Sequence, residues 1–354
     1  MGQQQQLSAQ QRAAYFGTAT RQNYQMLPAQ QVTQENSTVE FTLPKARLLS
    51  KIYLNVEAVA TLKSKGTAIQ THDFSPYTIL RRVSLDLNNG FSPFIVSGRD
   101  LMQYNLLRLN PNVLFPASTP RGMNYIESGA SVEGKDAKIK FTVELPVTLN
   151  QRDPVGLVLL QNAETSVTLT VDVAQLANAY TLNASNTDQV LFKSMKVVPM
   201  VETFSIPPIP EAFPDISTLK LVSSKSDTFA GNGQNIVKLN TGTIYRKMLL
   251  YFEDKDGKPL EDTDFQGNIE LVFNQADIPY SIKPEILSHI NHSQLGYPLP
   301  KGLYALDFTN QGIPNLGGSR DFIDSERLTE LWVRFSTLKE GKVTVVSENL
   351  SRLR

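Results

Sequence analysis

From Ser37 onward the apolar residues of this chain recur at every second position, and that period decides the fold class. Val39, Phe41 and Leu43 alternate with Glu40 and Thr42, and Ile52, Leu54 and Val56 alternate with Tyr53, Asn55 and Glu57. The pattern returns at Val83-Leu85-Leu87, Ile139-Phe141-Val143-Leu145 and Val167-Leu169-Val171-Val173. Each run presents one apolar and one polar face, as antiparallel strands do when one side packs on a core. Turn formers separate the runs at Asn88-Asn89-Gly90, Asn110-Pro111-Asn112 and Asn150-Gln151-Arg152-Asp153-Pro154. One helix interrupts them near Arg99 to Leu109, with Ser97 and Asp100 as its cap and Leu101, Tyr104 and Leu107 inward.

The segment Ile206-Pro207-Pro208-Ile209-Pro210-Glu211-Ala212-Phe213-Pro214 forbids a central strand and favours a stiff, extended linker between two domains. Beyond it the alternation resumes at Leu219-Leu221, Ile244 to Phe252, Ile269-Leu271-Phe273, Leu331-Val333-Phe335 and Val343-Val345. A second helix is predicted near Pro284 to Asn291, with Pro284 in its first turn and Ile286, Leu287 and Ile290 buried. The halves also match. Thr78 to Leu85 aligns with Thr243 to Leu250 at an offset of 165, and Thr168 to Val173 with Glu330 to Phe335 at an offset of 162. Two matches in one order point to a duplicated β-domain, although the two helices do not share the offset.

The first 34 residues differ from the rest. They hold 11 of the 22 glutamines, no Asp or Glu, and only Arg12 and Arg21 as charges. Ser8 and Gln11 form a capping-box pattern, Ala9, Ala13 and Phe16 follow at helical spacing, and Gly17 is the expected stop. This arm is read either as a solvated Gln-rich tail or as a segment ordered against a neighbour or a membrane surface. Its candidate contact residues are Leu7, Arg12, Tyr15, Phe16 and Arg21.

Composition narrows the function. The 34 basic and 34 acidic residues cancel, which argues against direct nucleic-acid binding. The absence of cysteine removes thiol nucleophiles, zinc–thiolate sites and disulfide scaffolds. Gly129 to Asp136 has phosphate-loop spacing, but Asp136 stands where Ser or Thr is needed and a strand pattern follows, so it reads as a polar loop. Asp254-Lys255-Asp256-Gly257 reads as a hairpin in preference to a calcium loop. His289 and His292 lie three apart on the second predicted helix, with His72 distant, and they read as surface histidines. No catalytic, cofactor-binding or metal-binding residue is assigned, and no cofactor is expected. The opening MGQQQQLSAQQ has neither a basic nor an apolar region of a secretory signal, and no apolar run reaches membrane-spanning length, so a soluble protein made in a cytoplasm is expected.

Several stretches resemble the major capsid protein family of tectiviruses, the tail-less phages with an internal membrane, most closely those infecting Gram-positive bacteria. Leu7-Ser8-Ala9-Gln10-Gln11-Arg12-Ala13-Ala14 is similar to the family's N-terminal helix. Phe141 to Val147, Asp153 to Leu157 and Thr168 to Val171 resemble the closing strands of its first jelly roll, and Leu299 to Tyr304 resembles the matching stretch of the second. The resemblance implies an all-β fold of two eight-stranded jelly rolls with short helical insertions and an N-terminal helical arm. Its bounds would be 1–34 for the arm, 35–204 for the first jelly roll, 205–217 for the linker and 218–354 for the second jelly roll. It further implies no enzyme but a homotrimeric, pseudo-hexagonal building block of a T=25 icosahedral virion. That shell would surround a membrane vesicle, with vertex and minor capsid proteins as further partners and the inner membrane surface touched by the arm. The rival reading is a double-barrel cupin-like enzyme or carbohydrate-binding module. Three histidines are too few to furnish metal clusters in two barrels.

Overall fold

The alternating segments are antiparallel strands, which the computed structural model sorts into two units, Met1–Lys220 with Arg352–Arg354, and Leu221–Ser351. The structure describes residues 9–88, 90–117, 124–149, 155–161, 166–208, 212–214, 216–309 and 322–352.

In the first unit the main strands are β1 (Gln22–Met26), β2 (Gln30–Val32), β3 (Thr38–Thr42), β4 (Leu48–Lys63), β5 (Leu80–Leu87), β6 (Phe91–Val96), β7 (Lys135–Pro146), β8 (Val167–Val173) and β9 (Gln189–Phe204). One sheet runs β1/β2–β9–β4–β7 and the other β3–β8–β5–β6. Alternation sets the register. Ile52, Leu54 and Val56 on β4 are fully buried, as are their partners Leu145, Val143 and Phe141 on β7, while Tyr53, Asn55 and Glu57 stay partly exposed. Helix α1 (Ala9–Ala19) precedes β1, and α2 (Gly98–Leu106) lies between β6 and β7.

The second unit contains β10 (Thr218–Phe229), β11 (Gly233–Leu239), β12 (Ile244–Asp254), β13 (Ile269–Phe273), β14 (Asp277–Ile282), β15 (Leu303–Asp307), β16 (Leu331–Thr337) and β17 (Gly341–Arg352), with α3 (Pro284–Leu295) between β14 and β15. Its sheets run β10–β17–β12–β15 and β11–β16–β13–β14. Inward residues of both sheets form one core, in which Phe252 meets Phe229, Phe265, Tyr304 and Phe335 edge-on.

With β1 and β2 counted as one interrupted strand, each unit has eight main strands in the order 1-8-3-6 on one sheet and 2-7-4-5 on the other. That double-sheet arrangement is the jelly roll, and the chain carries it twice. Both long helices fill the same connection, between the fifth and sixth strands. Their unequal offset reflects loop length and not a different place in the fold. Of the two sequence matches, 168–173 and 330–335 fall on the seventh strand of each unit and are equivalent. The other is not: 78–85 leads into the fourth strand of the first unit, whereas 243–250 lies on the third strand of the second. Two strands with apolar residues at similar spacing matched without common position.

Helix α2 starts where the sequence placed it. Ser97 accepts a hydrogen bond from the Asp100 backbone N–H at 3.1 Å, and Leu101, Tyr104 and Leu107 are buried. Helix α3 begins with Pro284 and ends at Gly296 in a left-handed conformation with φ of 78°. Its packing corrects the expectation. Leu287 and Asn291 are buried, Ile290 is half-buried, and Ile286 is exposed, because the helix turns a one-residue-wide seam to the unit. Asn291 takes the place expected of an aliphatic residue, its side chain bonding both the N–H and the carbonyl of Ala305 on β15. Gly17 does not stop α1, which runs on to Ala19.

Candidate assembly surfaces of the first unit

Helix α1 brings two neighbouring aromatic rings to opposite surroundings. Phe16 is buried against Leu48 and Leu157, with Leu159, Phe204, Ile206 and Phe213 around it, while Tyr15 is half exposed. After the helix, the Arg21 N–H donates to the Ser205 hydroxyl, and the Ser205 N–H donates to the Arg21 carbonyl, both at 2.9 Å. Strand β1 continues this pairing along β9, from Gln22 opposite Phe204 to Met26 opposite Met200. Residues 22–26 and 30–32, inside the span read from sequence as an arm, are therefore strands of the first sheet. Among the arm's candidate contacts, Leu7 lies outside the described residues, and so does the side chain of Arg12, which sits on α1. Tyr15 and Arg21 remain at the surface, whereas Phe16 is taken up by the unit's own packing. Tyr24 and Met26 add exposed apolar area on the outermost strand, which the sequence reading did not single out.

The outer face of β9, β4 and β7 carries polar residues in cross-strand rows. Tyr53 and Ser50 donate hydrogen bonds to Glu202, and Lys51 pairs with Glu144 at 3.1 Å. Burial, reinforced by the Glu144 and Glu202 carboxylates, pushes the Tyr53 hydroxyl above its ordinary pKa. Further along, Glu57 receives Lys140 at 2.7 Å from one side and Lys196 at 3.2 Å from the other. The Lys140 hydrogen bond leads in holding the Glu57 carboxyl below its usual range. Around this row lies an open groove of about 380 Å³, lined among others by Gln31, Glu57, Lys138, Lys140 and Lys196. Period-two alternation places each of these residues on the polar face. Only the register of β7 on β4 and of β9 on β4 gathers them into one row.

The other sequence motifs fall where no chemistry converges. Gly129 to Gly134 is a loop, with Gly134 at φ of 105°, entering strand β7. Asp254 to Gly257 is a turn whose Asp254 carboxylate accepts the N–H groups of Asp256 and Lys258. His289 and His292 are exposed on α3. Among the described residues no group of three His, Cys, Asp or Glu side chains is arranged to hold a metal ion, and no helix is long and apolar enough to cross a membrane.

The comparisons with solved structures follow this topology over nearly the whole chain. The major capsid protein of Sulfolobus turreted icosahedral virus superposes with a TM-score of 0.66 at 13% identity, covering 93% of this chain and 97% of that one. The fold is a double jelly roll. PBCV-1 VP54, in a structure fitted into a reconstruction of the virophage Sputnik, gives a TM-score of 0.68 at 12% identity and covers 94% of each chain. The major capsid protein P2 of bacteriophage PM2 gives 0.55 at 10% identity, covering 94% of this chain and 98% of that one. No family model and no curated protein matches the sequence. The double jelly roll is thus shared with viral capsid proteins at 10–13% sequence identity, and this likeness is one of fold.

Proposed function

We propose that this chain is a major capsid protein, a structural protein with no enzymatic activity. The observation that carries the reading is the repetition of one strand order, 1-8-3-6 and 2-7-4-5, in both units of a single chain. Three copies of a two-barrel chain present six similar barrels, so a threefold ring has a near-hexagonal outline that tiles a closed shell. The sheets keep most strands paired, which suits a protein held at high concentration against its own copies. Structural similarity to capsid proteins of an icosahedral virus, PBCV-1 and PM2 supports the same role here.

The finer reading follows the sequence resemblance. The shell would be that of a tectivirus-like phage with T=25 geometry around an internal membrane, made in the bacterial cytoplasm and residing in the virion. Vertex and minor capsid proteins would be its other partners. The segment before Phe16 would face inward to the membrane, since Phe16 and β1 are committed to the first unit. A linker at 205–217 would hold the two barrels in a fixed relation.

Light scattering on the purified chain tests the role. A particle of about three times 39.4 kDa, forming near-hexagonal capsomers in negative stain, is expected. A monomer at every concentration would overturn it. Deleting residues 2–14 tests the arm: trimers should persist while the yield of membrane-containing particles falls, and an unchanged yield would remove the arm from assembly.

A further inference from the structure

The second unit brings a primary amine and a carboxyl group together at the edge of a sheet. Strand β15 lies at the end of its sheet, paired with β12, and Asp307 at its last position stands opposite Lys247 of β12. Lys247 Nζ and Asp307 Oδ2 meet at 2.7 Å. These side chains are 15% and 8% exposed, whereas in the other Lys–Asp ion pairs among the described residues, Lys193–Asp136, Lys225–Asp227 and Lys339–Asp264, the lysine is about half exposed. Oδ1 of Asp307 is held separately, accepting the Thr309 N–H at 3.0 Å and the Thr309 hydroxyl at 2.6 Å. On the other side of β12, Glu348 of β17 also stands opposite Lys247, so Asp307, Lys247 and Glu348 form one cross-strand row. Glu348 is buried, and its Oε1 accepts from Arg246 Nε at 3.2 Å.

We propose that this row is the site of a self-made amide cross-link between Lys247 Nζ and Asp307 Cγ. The ammonium passes one proton to Oδ2 across the 2.7 Å contact. The amine lone pair then attacks Cγ, and the charge that collects on Oδ1 falls where the two Thr309 donors already lie. Glu348 relays a second proton from the nitrogen to the Oδ2 hydroxyl, the Cγ–Oδ2 bond breaks, and water leaves. Of the three ammonium protons, two depart in that water and one stays on the amide, so no oxidant, reductant or cofactor is needed. Two physical effects favour the product. Strand register holds amine and carboxyl together as if at very high concentration, and condensation removes two charges from a site where burying them is costly. The bond closes a loop that contains β13, β14 and α3, and it ties the outermost strand of the sheet to its neighbour. In a chain without cysteine it constrains the fold as a disulfide would. The cross-link is independent of the capsid role.

Intact mass and peptide mapping of the purified full-length chain test the cross-link, with thermal melts to establish that each variant is folded. The wild type should lack the mass of one water, and trypsin should release a branched peptide joining Lys247 to Asp307. Lys247→Arg keeps a cation beside Asp307 but presents no amine, so it should show its full mass and melt roughly 10 °C lower. Asp307→Asn should lose one ammonia in place of the water. In a time course from freshly synthesised protein, Glu348→Gln should form the bond at least about tenfold more slowly. Wild type at full mass after prolonged incubation would overturn the cross-link. So would a loss of water that persists in Lys247→Arg, which would place the lost water elsewhere, for example in a cyclic imide at Asp256-Gly257. Bond formation in Glu348→Gln at the wild-type rate would overturn the proton relay.

Discussion

The ring of Phe16 meets the ring of Phe204 edge-on, with centroids 5.4 Å apart and planes inclined at 66°. This contact joins the N-terminal helix to the last strand of the first unit across nearly the full length of that unit. It also explains how α1, within the Gln-rich segment, is held to the first unit. One buried aromatic, followed by the Arg21–Ser205 backbone pair and the β1–β9 ladder, offsets the conformational entropy of a segment poor in apolar residues.

Phe16→Ala should destabilise the first unit by about 3 kcal/mol, the usual cost of emptying a buried phenylalanine site. Tyr15→Ala, one residue away and half exposed, should change stability by less than about 0.5 kcal/mol. Urea unfolding of the two variants checks the pair. Equal losses would show that α1 is held by its whole surface and not by Phe16.

Phe252 is the hub of the second core, touching four other aromatic rings with centroid distances of 6.2, 5.0, 5.9 and 4.9 Å. Phe252→Leu keeps most of the volume but loses the edge-to-face geometry, and should cost about 1–2 kcal/mol. Phe252→Ala should cost about 4 kcal/mol. A protease-susceptibility assay should place the new cleavage within 221–351 in both variants. Cleavage confined to the first unit would contradict the assignment of this core.

The strands were legible in the sequence wherever one face is buried and the other wet. At 52–57 and 139–145 the alternation alone gives strand, face and burial correctly. Strand β1 was not legible, because Gln-Asn-Tyr-Gln-Met has no alternation and its side chains are almost all exposed; backbone pairing with β9 makes it a strand. Helix α3 was legible in position but not in facing. A 3.6-residue period over a short segment leaves the choice between Ile286 and Asn291 to tertiary contacts, here the two hydrogen bonds to Ala305. The candidate groove was hidden for a related reason. Lys140, Glu57 and Lys196 are far apart in sequence and become neighbours only through strand register, which no local pattern encodes.

Gly302 ties the entry of β15 to β12 in a way that requires glycine. Its φ is 73°, its carbonyl accepts the Phe252 N–H at 2.8 Å, and a Cβ there would lie 2.6 Å from the Phe252 carbonyl oxygen. Gly302→Ala should therefore cost more than about 2 kcal/mol, combining the left-handed penalty with a backbone collision. Gly242, also at positive φ but in open space, should lose only about 1 kcal/mol on the same substitution. Thermal melts of the two variants measure the difference, and equal shifts would show that φ and not the collision dominates.

The Lys140–Glu57–Lys196 row predicts a specific acid limb. The two lysines lower the Glu57 pKa in the folded state below its ordinary 4.5, so the folded protein releases that proton more readily than the unfolded chain. The contribution to stability is therefore present above the unfolded value and is lost as pH falls through the lowered folded value. Because Glu57 is 38% exposed, solvent screening holds the effect to about 0.5 kcal/mol. Glu57→Gln should be slightly less stable than wild type at pH 7, and the two curves should converge as pH falls below 4.5. Adding about 0.5 M salt should narrow the gap at pH 7. A gap that stays unchanged as pH falls below 4.5 would show that Glu57 supports the sheet through packing and not through its charge.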